Sequence, residues 1–378
     1  MLHFDLNIPV IPAGQNVYML HPGKNYHLFD RFKEYSCVSA DLPGLDLLDG
    51  KSPALSERID MQIRRARAMR DWLAMNAHDR KKNTYETDLD EFAKEDPRRF
   101  HNSYKETLID LLWTIPAGTP IFVPSTSMLK KGFFCELGKA SAPRVTFNGE
   151  RSAKDFVYTG RPVVNIKQVD MRLVPPDVLE EKNRNSILTE LDFESSEKML
   201  RLFYGSFAIQ GDLIQTEINI PSDVFRPADA NIINGFTNYL EENLQRLENG
   251  VIDPADMLSS FFMAFDEAEL RIHARLNSKG VVQVAAKTVA PYLLAFFLAI
   301  PEGLATEEIV RELANNNFQV SNSKCEADVE TPRLIKERLF DIVSMFGEDQ
   351  VIDICNRISE LKARTGASVK AVLDHVDN

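Results

Sequence analysis

The chain lacks most of the features that commit a protein to a known chemistry. Its four cysteines, Cys37, Cys135, Cys325 and Cys355, stand far apart, with no CxxC or other close pair. Its seven histidines form no HxxxH or HxH. A zinc site draws thiolates and imidazoles at short spacing, so neither a metal nor another cofactor is expected. Scattered thiols of this kind are expected to be reduced, as in a cytoplasmic protein. There is no GxxxxGK[ST] phosphate loop, no G-x-G-x-x-G turn and no G-x-S-x-G elbow. Positive charge is also in deficit: the formal net charge is −12. That excludes a protein that coats nucleic acid indiscriminately through dense Lys and Arg, but leaves a local basic site open. No apolar run is long. The most apolar, Thr288 to Pro301, is closed by Lys287 and Glu302 and falls short of the about 20 residues that span a bilayer. A buried core helix is expected there, and no membrane partner. Met1-Leu2-His3-Phe4-Asp5 has neither the cationic nor the apolar region of a secretory signal.

What is present is ordinary globular material. With 378 residues, 44% hydrophobic and 26% charged, the chain can bury a core and is long enough for about two or three domains. Gln15–Leu20 reads as a strand, Asn25 to Tyr35 has helical spacing, and Ser36–Ala40 is a second short strand. From Ser56 to Ala77, Ile59, Ile63, Ala66, Met69, Trp72 and Leu73 recur at helical spacing behind a serine N-cap. A polar excursion follows from His78 to Arg99, then a helix over Tyr104 to Thr114. Strands are predicted at Pro120–Pro124, Gly132–Leu137 and Pro162–Val169, with a short helix at Asp177–Glu181. After Asp192 the pattern changes. Leu202–Ile209 and Leu213–Ile220 alternate as strands about Gln210-Gly211-Asp212, a hairpin turn. Helices are predicted at Asp229–Leu247 and Asp256–Phe265, and a second hairpin from Glu269–Leu276 and Val281–Lys287. Helices over Thr331–Phe346 and Asp349–Lys362 close the chain.

The order of several short motifs carries a resemblance. Tyr18-Met19-Leu20-His21-Pro22-Gly23 is followed by Tyr26-His27-Leu28-Phe29-Asp30-Arg31-Phe32, and then by Cys37-Val38-Ser39-Ala40. Ile115-Pro116-Ala117-Gly118-Thr119-Pro120-Ile121-Phe122-Val123-Pro124-Ser125 precedes Gly132-Phe133-Phe134-Cys135-Glu136-Leu137-Gly138. Phe156 to Ile166 and Val174-Pro175-Pro176-Asp177-Val178-Leu179 complete the series. In this order the segments resemble the PUA/EVE-like fold found at the N-terminus of some restriction-system (Mrr-like) proteins. Thr119 stands where that pattern has an acidic residue, Asn165 where it has an aromatic, and the stretch between Leu48 and Ser103 is a long insertion.

The resemblance implies an α+β protein. Residues 191–378 resemble no family, and their own pattern reads as an α/β domain with two hairpins and a helical end; by the resemblance, residues 1–190 would form a PUA/EVE-like β-barrel with a helical insertion. It implies recognition of nucleic acid, including modified bases, in a bacterial defence or restriction-related system, rather than catalysis. Such domains stack an extruded base on aromatic faces and read its edge by hydrogen bonds. Tyr18, Tyr26, Phe29, Trp113 and Phe122 are the aromatics near the strand ends, and Ser125 offers a hydroxyl. The same spacing also suits aromatics that simply pack. Between Arg58 and Lys82 stand eight basic and three acidic residues, among them Arg64, Arg65 and Arg67. These form either a phosphate-binding patch or a solvated helix face. Two alternatives belong to other classes. One is an interaction subunit whose C-terminal helices dock a protein partner or a second copy. The other is a divergent metal-dependent nuclease around Gln283 and Lys287, with Asp266, Glu267 and Glu269 upstream. Against the nuclease, Gln283 and Lys287 lie four residues apart where the restriction motif has two.

Overall fold

A computed structural model of the chain describes residues 1–45, 57–83, 88–93, 101–139, 145–149, 156–181, 186–221, 233, 271–275, 280–301 and 303–375. The polypeptide is mixed α+β, with a curled, half-barrel sheet. It divides into two compact units, one of Gly14–Phe203 and one of Met1–Ala13 with Tyr204–Asn378. The sequence placed a boundary near 190 and gave the first residues to the first half. The structure gives them to the second half through backbone pairing. Strand β1 (Leu2–Asp5) lies parallel to a strand at Phe318–Ser321 and antiparallel to one at Val372–His375. Strand β2 (Val10–Ile11) lies parallel to Phe207–Ile209. Pairings between residues hundreds of positions apart leave no local pattern to read.

The middle unit opens with β3 (Tyr18–Leu20), α1 (Phe29–Glu34) and β4 (Cys37–Val38). Three helices follow: α2 (Glu57–Ala74), α3 (Ala77–Lys82) and α4 (His101–Ile109), the last running into a π-helical turn at Asp110–Thr114. Then come β5 (Pro120–Val123), β6 (Lys131–Leu137), β7 (Val145–Gly149), β8 (Phe156–Asp170), α5 (Pro176–Glu181), β9 (Leu188–Glu190) and α6 (Phe193–Phe203). The sheet order is β4-β8-β6-β5-β3-β9, with β7 paired to β8. Only β3 and β5 run parallel; the other pairs in this sheet are antiparallel.

Strand β6 is buried on both faces, which is why its sequence, Gly-Phe-Phe-Cys, does not alternate. Phe133 meets Phe29 at 5.3 Å, while Phe134 meets Phe122 at 5.1 Å and stacks on Phe203 at 4.9 Å. Phe203 is the last residue of α6, whose Met199, Leu200 and Phe203 are buried at helical spacing. This corrects the strand expected from Leu202. Leu202 and Phe203 close a helix, and the strand begins only at Phe207. The backbone at the N-terminal end of α6 is tied to the start of β3: Val17 N–H donates to Ser196 Oγ at 2.9 Å, and Leu191 N–H to the Val17 carbonyl at 3.0 Å.

At the centre of this unit is Arg161, 1% exposed. Its guanidinium donates to the carbonyls of Leu111 (3.1 Å), Ile115 (2.7 Å) and Gly138 (2.8 and 2.9 Å). No carboxylate bridges it among the described residues. A helix C-terminus carries partial negative charge on carbonyls that lack intrahelical donors, and here the cation of β8 satisfies them. Burial lowers the pKa of this guanidinium from its usual value.

In the split unit, β10 (Phe207–Ile209), β11 (Leu213–Ile220), β12 (Arg271–Arg275) and β13 (Gly280–Ala286) form with β2 a sheet of order β12-β13-β11-β10-β2. The two expected hairpins are present as antiparallel pairs β10–β11 and β12–β13. Helices α7 (Ala290–Ala299), α8 (Thr306–Ala314), α9 (Glu330–Phe346) and α10 (Glu348–Thr365) follow, with β14 (Phe318–Ser321) and β15 (Val372–His375) flanking β1 in a second sheet. Helix α7 occupies the apolar run noted in the sequence. Tyr292, Leu293, Leu294, Phe296 and Phe297 are each 1% exposed or less, so it is a core helix on all sides. No helix of the described residues is long and apolar enough to cross a membrane. The helices expected at Asp229–Leu247 and Asp256–Phe265 lie outside the described residues apart from Ile233, which is helical and buried.

Two outcomes test this architecture. Replacing Arg161 by Met strands three buried carbonyls, each costing about 1–3 kcal/mol. Urea denaturation should therefore show a loss of about 3 kcal/mol or more, and Arg161→Lys should recover little of it, because an ammonium cannot fork to three acceptors. A variant within half a kcal/mol of the parent contradicts the role given to Arg161. The thiols give a second check. Burial pushes Cys37 and Cys355 up to about 12, and Cys135 upward as well. Cys325 is partly exposed. Iodoacetamide at about pH 8 should label Cys325 alone in the folded protein, since thiolate is the reactive form; early labelling of Cys355 would show that α10 is not packed as described.

Candidate ligand cleft of the middle unit

The end of β5, the start of β6 and the turn before α1 converge on a cleft of about 370 Å³. Three sequence segments build it. The first is Lys24–Tyr26, a single 3₁₀ turn, leading into Phe29, Asp30 and Lys33 of α1. The second is Ser125-Thr126, where Pro124 has stopped β5. The third is Lys130-Lys131-Gly132 entering β6, beside Gln168 of β8. Gly132 permits the approach of these strands. A Cβ there would lie 2.9 Å from Met171 Sδ and 3.0 Å from both the Phe122 ring and the Val123 carbonyl.

The turn bearing Tyr26 is held from below by a buried carboxylate. Asp41, 3% exposed, accepts the Lys24 N–H through Oδ2 at 2.9 Å. Its Oδ1 lies 3.2 Å from His27 Nε2, while His27 Nδ1 meets the Lys24 carbonyl at 2.9 Å. Gly23, at φ 77°, passes so close that a Cβ would come within 2.8 Å of Asp41 Oδ2. Held this way, Tyr26 adopts φ 59°, a left-handed backbone that costs a non-glycine residue about 1–3 kcal/mol and tends to mark functional sites. Its ring packs on His21 with centroids 4.6 Å apart, and burial raises its hydroxyl pKa.

The polar groups facing the cleft divide into paired and unpaired. Lys33 is paired, with Asp30 at 3.1 Å and with its ammonium 4.7 Å from the Phe29 ring centroid. Ser125 is 2% exposed, and its hydroxyl has no hydrogen-bond partner among the described residues. The same holds for the side chains of Gln168, Lys130 and Lys131. Asp170, the carboxylate whose charge Lys131 feels, is gripped by Arg172 at 2.5 Å, and that pairing holds its carboxyl down at about 2.

Of the residues singled out from the sequence, Tyr26 and Ser125 line this cleft together with Phe29. The others are elsewhere. Tyr18, in β3, is raised in pKa by burial and by Glu190, to which it hydrogen-bonds. Trp113 lies in the π-helical turn and packs with Leu108 and Leu112. Phe122 is fully buried. The arginines of α2 turn to their own protein. Arg64, 8% exposed, donates to the Phe92 carbonyl at 2.6 Å, and Arg65 to the Gly44 carbonyl at 3.3 Å. Arg67 lies 4.8 Å from the Tyr104 ring centroid. Sequence reasoning missed Lys130, Lys131 and Gln168. The available signal was two adjacent lysines at the mouth of a strand, six residues after Pro124-Ser125.

In the split unit, Gln283 faces Glu217 across β11 and β13 and donates to its Oε2 at 2.9 Å. Lys287 falls beyond the end of β13 at Ala286, and Asp266, Glu267 and Glu269 lie outside the described residues. Among the described residues no group of three or more His, Cys, Asp or Glu side chains is placed to hold a metal ion. No family model matches the chain, and no curated protein or solved structure matches it.

The support under Tyr26 is testable. Asp41→Ala removes the acceptor of the Lys24 N–H and the charge beside His27, which should cost about 1–3 kcal/mol in urea denaturation. Asp41→Asn, which keeps an acceptor, should lose less. An Asp41→Ala protein as stable as the parent would mean that the turn holds itself.

Proposed function

We propose that the middle unit is a nucleic-acid recognition domain of PUA/EVE-like architecture that takes one nucleotide of a strand into the Tyr26–Ser125 cleft. The reading rests on the motif order along β3, β5, β6 and β8. The single observation that carries it is the convergence of donors with no hydrogen-bond partner among the described residues, the Ser125 hydroxyl, the Gln168 amide and the ammoniums of Lys130 and Lys131, around one cleft on an acidic chain. A concave site with a few convergent polar groups is the usual form of a ligand site. Lys81 and Lys82 at the end of α3, exposed and without partners among the described residues, give a strand a second place to rest its phosphates. The system this serves is proposed to be restriction-related defence, on the resemblance alone.

The test is fluorescence anisotropy of the full chain with short single- and double-stranded DNA and RNA, with and without methylated or hydroxymethylated bases, across a salt series. Saturable binding is expected, and Lys130→Glu with Lys131→Glu should weaken it at least tenfold. Because each neutralised phosphate of a single strand contributes about 0.7 to the slope of log K against log salt, losing two contacts should flatten that slope by about 1.4. Absence of binding to every oligonucleotide at low salt overturns the proposal.

A further inference from the structure

Resting on that reading, we infer that the cleft recognises the phosphomonoester of a single nucleotide, through Lys130, Lys131, Ser125 and Gln168, rather than sandwiching a base between rings. Three observations carry this. First, both aromatic rings of the cleft are already engaged. Tyr26 packs on His21, and Phe29 packs against Phe133 at 5.3 Å with the Lys33 ammonium over its ring. No pair of free rings faces across the space to hold a base.

Second, the charge matches a dianion. Lys33 is balanced by Asp30, which leaves Lys130 and Lys131. Asp170, across the sheet from Lys131, interacts with it but is also paired with Arg172, so the Asp170–Arg172 pair brings no net charge to offset the two ammoniums. A phosphomonoester carries about −1.5 to −2 at neutral pH and three strong acceptor oxygens, whereas an internal phosphodiester carries a single charge. Two ammoniums, a hydroxyl and an amide N–H supply donors to three oxygens. The hydroxyl is built in rather than incidental, because Ser125 is 2% exposed and its hydroxyl has no hydrogen-bond partner among the described residues.

Third, the space is small. At about 370 Å³ it lies at the low end of small-molecule pockets, a size for one nucleotide and not for a run of strand. A phosphomonoester on one nucleotide has two sources, the 5′ end of a strand or a free nucleotide.

The experiment uses the full chain and four probes: a 3′-labelled oligonucleotide with a 5′-phosphate, the same oligonucleotide with a 5′-hydroxyl, AMP, and adenosine. The expected result is at least tenfold tighter binding of the 5′-phosphorylated strand, competition by AMP but not by adenosine, and loss of the preference in Lys130→Gln/Lys131→Gln and in Ser125→Val. Circular dichroism and urea midpoints confirm that these variants are folded. If AMP binds and neither strand does, the free nucleotide is the source; the inference stands and the nucleic-acid reading falls. Equal binding of the two strands, weakened equally by the lysine variants, overturns the inference and leaves the nucleic-acid reading intact. No binding of any probe overturns both.

Discussion

The middle unit depends on a buried cation that has carbonyls where a counter-ion would be expected. Arg161 enters from β8 and is the shared donor for the end of the π-helical turn and for the turn after β6. Those two places must stay together for β5 to start at Pro120 and for β6 to finish at Leu137. A neutral side chain cannot replace it, because the carbonyls at a helix end keep their partial charge wherever they are buried. The geometry of the cleft at the opposite ends of β5 and β6 is therefore set partly by a residue that never approaches it.

The cleft shows how a rigid frame presents groups that are themselves unsatisfied. β6 is held through its own Phe133 against Phe29 on one face and through its own Phe134 against Phe122 and Phe203 on the other. A strand fixed on both faces keeps Lys131, and Lys130 just before it, at the mouth of the cleft. Asp41 does the same for the Tyr26 turn, holding an unfavourable backbone in place. Unpaired donors on immobile supports are the arrangement that favours a ligand, because little ordering remains to be done when it arrives.

Much of the fold was legible in the sequence, and the failures have physical causes. The periodicity of Ile59, Ile63, Ala66 and Met69 announced α2, and the unbroken apolar run announced α7. β1, β14 and β15 were not legible, since each has only four residues and gains its identity from partners far along the chain. α6 was partly taken for a strand because Leu202 and Phe203 sit beside a true strand in a stretch of mixed polarity. At the site, motif order pointed to Tyr26 and Ser125. The arginines of α2 are not among the cleft's lining residues; a charge pattern shows which residues are cationic but not which way long side chains bend, and Arg64 bends toward the Phe92 carbonyl. Lys130 and Lys131 passed unnoticed because two lysines in a polar turn look the same whether or not a carboxylate waits beside them.

The split unit's central sheet strand has a consequence for how the chain is made. β1 needs Phe318–Ser321 on one side and Val372–His375 on the other. At about 5–20 residues per second of synthesis, its partners emerge from the ribosome tens of seconds after it does. The whole of Gly14–Phe203 is available in the interval. The middle unit can therefore complete its own pairings while β1 still has two open edges, exposing Leu2, Phe4 and Leu6, all of which end buried. A nascent chain that makes such a segment before its partners must carry those apolar side chains uncovered until Val372–His375 has been translated.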